Sequence, residues 1–486
     1  MDSDPGYESS SSTSATKAKT PAVKLAIVAL IAAVMIVLML LRVRGVNGPW
    51  YWPWAWRRLG WEIYLLMLVA ASPLFAAHVL YARGRVSARG AILLVMLAAL
   101  LLQVAAILPQ PLGFGRLAAT VRSVNVGYYD AARVLHEQMT LRGASLRDWL
   151  EIYPQLMPVL MLHASFKPPG WILYYLGLMS AFGVGDRAAL AGASIVAVLA
   201  TTAVPLTYRL ARVFEIDELP ALCAASFFAL TPSLLLFLPQ HDQTYPALSC
   251  LILIAWAGAL RGGRGSRWLA VAYGALLALG LFLSAVFLML GLFLAVRTIL
   301  YLGDRGRRGV FHVIVCAALA VLTFAGLYVL LYFATGFDPI ETFVTANRRS
   351  QAHLVELRRP WPLHLAWDVY DILLGTGWIS LPLIAWGAAY AWRTWSARTP
   401  QFRLVFVGLL QVIVAVAVAV FPGENARLML PVMPLLMVPI GIELARWPLR
   451  ARLVALALLV LVAAGVAQNM IFLYMGEAID KVPRML

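Results

Sequence analysis

From residue 24 onward the chain alternates between long apolar runs and short polar turns rich in arginine. Runs of spanning length lie near 24–41, 62–81, 90–108, 187–208, 218–238, 245–260, 268–302, 309–335, 366–391, 403–421, 428–445 and 452–474. One membrane crossing takes about 20 helical residues, so 268–302 divides in two and the count becomes about 13 helices. The pattern predicts an all-α polytopic membrane protein. The stretch 170–184, GWILYYLGLMSAFGV, is short for a span and follows directly on two prolines. Residues 1–22 are polar and Ser/Thr-rich and read as a disordered cytoplasmic tail. Residues 23–486 read as one membrane domain with two large loops, 109–186 and 337–365.

The arginines set the expected orientation, because Lys and Arg collect in short cytoplasmic loops. If 170–184 does not cross, one side receives Lys17 and Lys19, Arg83, Arg85 and Arg89, Arg209 and Arg212, Arg261, Arg264 and Arg267, Arg305, Arg307 and Arg308, Arg393, Arg398 and Arg403, and Arg446, Arg450 and Arg452. If it crosses, the pattern breaks in the middle. The expectation is therefore an N-terminus inside, a C-terminus outside, and a juxtamembrane helix after Lys167 on the outer face. Arg42, Arg44, Arg57 and Arg58 are the exception, since they fall outside, beside the interfacial tryptophans of WYWPWAW.

Composition agrees with the pattern: 62% of residues are hydrophobic and 13% charged, against about 25% charged in soluble domains. The net charge of +16 then reads as cytoplasmic loops and anionic lipid contacts, and nucleic acid is not expected as a partner. Cys223, Cys250 and Cys316 all fall within apolar runs and form no disulfide or metal-binding pattern. The glycine-rich turns fit no nucleotide fingerprint, and no HExxH or GxSxG occurs.

The topology gathers chemically capable residues on the outer face. The first loop supplies Asn125, Tyr128, Asp130, His163 and Lys167. PQHDQTY supplies His241 and Asp242, the second loop Arg348, Arg349 and His353, and FPGENARL supplies Glu424 and Arg427. Ionisable groups at membrane depth are functional candidates by default.

The order of four segments resembles the GT-C superfamily of membrane glycosyltransferases, in the branch of the protein O-mannosyltransferases and the lipid A aminoarabinose transferases. GYYDAARVL is similar to an acidic, Tyr-containing stretch of that family, and HASFKPPGWILYY to its Lys-Pro-Pro-aromatic segment. The passage from PLTYRLARVF to LPQHDQTY looks like its helix–helix–Pro–Asp element, and GENARLMLPVMPLL like its C-terminal Glu–Arg–Pro element.

The resemblance implies a cytoplasmic-membrane enzyme with its active site on the outer face. It would move a sugar from a polyprenyl-phosphate-linked donor to a glycan, lipid or protein acceptor, among membrane lipids. No cofactor is required, and a divalent metal is possible. Lys167 and Arg427, with Arg348 and Arg349, would hold the lipid phosphate. Asn125 stands where the family carries an Asp and cannot act as a base. The proton-accepting role falls to Asp130, with Asp242 second, beside His241 and His163. An O-antigen polymerase or ligase, and a lipid-linked sugar transporter or flippase, are the alternative readings.

Overall fold

In the computed structural model of the chain, residues 11–48, 54–123, 127–161, 163–357, 363–418 and 424–472 are described. Among these residues, nine helices are long and apolar enough to cross a membrane. A further pair, His364–Thr376 and Ser380–Thr394, is bent by 93° at Gly377, whose φ of +76° is one that side chains disfavour.

The apolar segments outside the nine have local causes. The run 218–238 forms the helix Glu218–Ala229 and stops before Thr231-Pro232, where a five-residue helix Pro232–Leu236 starts. The run 428–445 forms the short apolar helix Leu430–Ala445. The two runs on either side of residue 305 merge into the helix Gly291–Thr335, which breaks at Gly306 (φ 55°, ψ −145°) within the arginine-rich LGDRGRRG turn. The stretch after Pro169 is a helix over Gly170–Phe182 of 13 residues, about 20 Å long and short of a bilayer core of about 30 Å.

The core centres on two short helices. Every residue from Met433 to Leu444 is buried, as is every residue from Ala221 to Ala229. A helix apolar all round belongs in the interior, and glycine lets these backbones meet. A Cβ on Gly441 would lie 2.3 Å from the Pro220 carbonyl oxygen, and one on Gly274 2.3 Å from that of Ala320. Small residues allow such approach where lipid supplies no hydrophobic drive between helices. At one end of this core Glu443 accepts hydrogen bonds from Lys24 (2.6 Å), Arg446 (2.8 Å) and the Trp447 indole (2.8 Å). At the other end the chain turns through residues 424–432.

A two-stranded antiparallel ribbon closes that second end. Trp54–Trp56 pairs with Met470–Phe472, Trp54 opposite Phe472 and Trp56 opposite Met470. Trp54, Phe237 and Phe472 form a mutual edge-on cluster with ring centroids 5.0 to 5.8 Å apart.

Candidate active site

Four chain segments meet at that end, each delivered by a local device. The first is the helix Tyr128–Arg142, which buries Tyr128, Tyr129, Ala131, Ala132 and Leu135. Gly127 precedes it at φ +78°, and a Cβ there would stand 2.9 Å from the Met161 Cβ. Tyr129 fixes the helix by exchanging hydrogen bonds with Gly185: its hydroxyl donates to the carbonyl at 2.9 Å and accepts from the amide at 2.8 Å.

The second segment is HASFKPPG. Lys167 is extended (φ −129°, ψ 154°), as a residue before proline must be. The buried Tyr153 hydroxyl donates to the Lys167 carbonyl at 2.7 Å. Pro169 then caps the helix at Gly170, where a Cβ would lie 2.6 Å from the Phe282 carbonyl oxygen. The third is the turn His241–Thr244, wholly buried and continuous with the helix Tyr245–Arg261. Asp242 sits at its start, where a carboxylate suits the positive end of the helix.

The fourth is the turn Asn425–Leu428. Asp371, fully buried, holds it. One carboxylate oxygen accepts the Ala426 amide at 2.6 Å and the other the Trp54 indole N–H at 3.1 Å. Ser233 donates to the Ala426 carbonyl. Glu424 enters the turn at φ +60°, a left-handed conformation uncommon outside glycine.

These segments close an ion network around Asp242. Arg427 donates to its carboxylate at 2.7 Å, and Lys167 Nζ lies 3.6 Å from its other oxygen. Arg427 also pairs with Glu424. The Asp242, Arg427 and Lys167 side chains are 4%, 5% and 14% exposed, so this is a desolvated network. Aromatic rings wall it. Lys167 Nζ lies 6.0 Å from the Tyr128 ring centre and 5.9 Å from that of Tyr245, while Arg427 lies over Phe472 at 5.4 Å. His241 is caged, with Trp171 at 4.0 Å, Tyr128 at 5.2 Å and Tyr175 at 5.3 Å. Its Nε2 is buried and has no hydrogen-bond partner among the described residues.

The network shifts its neighbours. Burial, then the positive charges of Arg427 and Lys167, hold the His163 imidazole well below the usual histidine range, so it is neutral near pH 7. Burial, then the Asp242 charge, pushes the Tyr128 hydroxyl well above its ordinary value. For Arg427 burial acts downward, but Asp242 and Glu424 outweigh it and its pKa is raised. With His163 neutral, the two cations Lys167 and Arg427 balance the two carboxylates Asp242 and Glu424.

Of the residues expected from sequence, Tyr128, His163, Lys167, His241, Asp242, Glu424 and Arg427 come together here. His353 stands one ring away: Phe166 stacks on it at 6.0 Å and meets His163 edge-on at 5.9 Å. Asn125 lies outside the described residues. Arg348 and Arg349 are exposed on the helix Pro339–Leu357. Asp130 lies off the buried stripe of its helix and pairs with Arg133 at 2.8 Å, while Arg133 also reaches Glu137 at 2.7 Å. Asp242, second by sequence, is the carboxylate between the two cations. Among the described residues no group of three or more His, Cys, Asp or Glu is placed to hold a metal ion.

No protein-family model matches this chain, and no curated protein does. Among solved structures, the crystal structure of ArnT from Cupriavidus metallidurans in the apo state is similar. The match has a TM-score of 0.47 and 15% sequence identity, and covers 74% of this chain and 60% of that one. By its own composition and helices, the chain is a polytopic helical membrane protein with a buried ion network at one end of its core.

Proposed function

We propose that this protein is a membrane glycosyltransferase that takes a sugar from a polyprenyl-phosphate-linked donor, with Asp242 as the base and Lys167 and Arg427 as the phosphate-binding cations. One observation supports this reading above the others: a carboxylate buried between two cations that come from three distant parts of the sequence. Buried charges are costly unless paired, and truncating one leaves its partner stranded. In the resting protein Asp242 neutralises the cations. An arriving lipid phosphate offers them a second anion and loosens their hold on Asp242.

The reaction then follows with its charges balanced. The acceptor oxygen bonds to the sugar's anomeric carbon as the bond from that carbon to the phosphate oxygen breaks. The acceptor proton passes to Asp242, and the phosphate leaves with the bonding electrons. Lys167 and Arg427 face the charge that develops on the phosphate, the preorganised stabilisation that contributes most in a dry site. Tyr128, Trp171 and Tyr245 supply apolar and ring surfaces beside the reacting sugar. The outer face of the cytoplasmic membrane, reached from the arginine pattern, is the proposed location, and a cell-envelope glycan, lipid or protein the proposed acceptor.

The test is reconstitution of the full chain in liposomes with polyprenyl-phosphate-linked sugars and a cell-envelope extract, followed by mass spectrometry of the extract. The expected result is acceptors heavier by one sugar and an equal release of polyprenyl phosphate. Movement of intact donor across the bilayer without any modified acceptor would overturn the reading and point to transport.

A further inference from the structure

The longest apolar helix runs into a second helix with an exposed apolar side. The helix Gly291–Thr335 turns Leu330 and Phe333 outward near its end, and Phe333 is 73% exposed. On a spanning helix such side chains meet lipid. Gly336, at φ +72°, ends it. Asp338 starts the next helix, Pro339–Leu357: its carboxylate accepts the Ile340 and Glu341 amides at 2.8 and 2.9 Å. Ile340 is 76% exposed, and Phe343 and Val344 are exposed beside it.

The two sides of this second helix differ. Thr342 and Ala346 are buried and fall one turn apart on one face. Further along that face His353 stacks on Phe166, the residue before Lys167. Ile340, Val344, Arg348 and Val355 recur on the opposite face, and all four are exposed. Arg349 is exposed as well. Ile152 and Val159, also exposed, extend the apolar area from a neighbouring segment, which meets the helix where the Gln155 amide donates to Glu341 at 3.4 Å. Apolar area of this kind marks a partner.

We propose that the partner is the membrane: the helix Pro339–Leu357 lies in the interface of the leaflet around the Thr335 end of the span, with Ile340, Phe343 and Val344 among acyl chains and Arg348 and Arg349 at the phosphates of anionic lipids. Continuity carries the choice. The four residues 336–339 reach at most about 14 Å, so the first turn stays beside the lipid-facing Phe333. A protein docked on Ile340 and Phe343 would first have to displace the lipid around that ring. Arg348 lies about 12 Å along the axis from Ile340. That is enough for a shallow helix to pass from the acyl boundary into a headgroup layer about 5–8 Å deep. Apolar side chains below and arginines at phosphate level are what hold a helix in the interface. Its other face backs Phe166, and with it the segment that carries Lys167. The proposal stands whether or not the network transfers sugars.

The test uses the full-length protein in lipid nanodiscs. Ile340→Cys and Val344→Cys are labelled with bimane, with Phe333→Cys as the lipid reference; the native Cys223, Cys250 and Cys316 are buried, so the label reports the introduced residue. Doxyl-labelled phosphatidylcholine should quench both positions as strongly as the reference, and aqueous iodide should quench neither. At equal mole fraction, doxyl-labelled phosphatidylglycerol should quench Val344→Cys more than doxyl-labelled phosphatidylcholine, through a local enrichment of up to about fivefold per arginine. Adding Arg348→Gln and Arg349→Gln should remove that difference. All of these positions are exposed, so the changes leave the core alone. Quenching by iodide and not by doxyl lipid would overturn the proposal. So would a face shielded from iodide only after a cell-envelope extract is added, which would assign it to another macromolecule. Equal quenching by the two lipids in the parent would overturn the assignment of anionic lipid.

Discussion

Asp242→Asn separates charge from shape at the centre of the network. The amide keeps the size of the side chain and removes its charge, so Lys167 and Arg427 remain without their shared counter-ion. At the observed separations of 3.6 and 2.7 Å, with an effective dielectric constant of about 20, Coulomb's law gives gross attractions of about 5 and about 6 kcal/mol. Much of that offsets desolvation, and breaking a buried pair has a net cost of about 3–5 kcal/mol. The variant should therefore unfold earlier than the parent without lipid. Saturating polyprenyl phosphate should restore most of the loss, because its phosphate takes the place of the carboxylate. Turnover should not recover and should stay down by about 10²–10⁴-fold, the usual effect of removing a general base. Thermal unfolding in detergent with and without polyprenyl phosphate, alongside single-turnover sugar transfer, reads both effects. The reasoning fails if folded Asp242→Asn turns over within about threefold of the parent, or if the carrier phosphate does not stabilise it more than the parent.

Three further outcomes follow from the same geometry. Lys167→Ala and Arg427→Ala should each weaken polyprenyl-phosphate binding by about 2–5 kcal/mol, measured by titration on protein that elutes as a single species; unchanged affinity in both would reject their role. Asp371→Ala leaves the Ala426 amide and the Trp54 indole without acceptors, so it should destabilise by about 1–3 kcal/mol, with Asp371→Asn milder because one acceptor remains; donor affinity should fall with it as the 425–428 turn loosens, and a loss of stability alone would make Asp371 merely structural. His163 has a folded pKa below its unfolded value near 6.5, so the native state binds fewer protons on acidification. Stability should be fully present above about pH 6.5 and fall as pH drops toward the folded value, and His163→Gln should flatten that slope in melting curves taken from about pH 7.5 to pH 5.

The helices were legible in sequence because apolar runs of spanning length leave few other structures. Hydropathy could not tell a lipid-facing helix from a central one. The run 428–445 reads like any span, yet it is the helix around which the others pack. Lys167, Asp242 and Arg427 were legible one at a time, as ionisable residues at apolar boundaries, while their pairing needed the fold. The position of Asp130 on its helix was legible in helical phase. Tyr128, Ala131, Ala132 and Leu135 recur at the spacing of one buried face, and Asp130 falls off it. Asp371 carried only a faint signal, an acid seven residues after His364 in an apolar helix.

The ribbon joining Trp54–Trp56 to Met470–Phe472 sets the order in which this protein can be made. A chain emerges from the ribosome N-terminal end first, so Trp54 waits through the synthesis of some four hundred residues for its partner strand. Until Phe472 arrives, Arg427 lacks the ring it lies over, and residues 54–56 present an unpaired edge. The helix Leu449–Asn469 therefore brings a wall of the site after its charges are in place, and a nascent chain halted before that helix holds every charged member of the network but not the ring that covers Arg427.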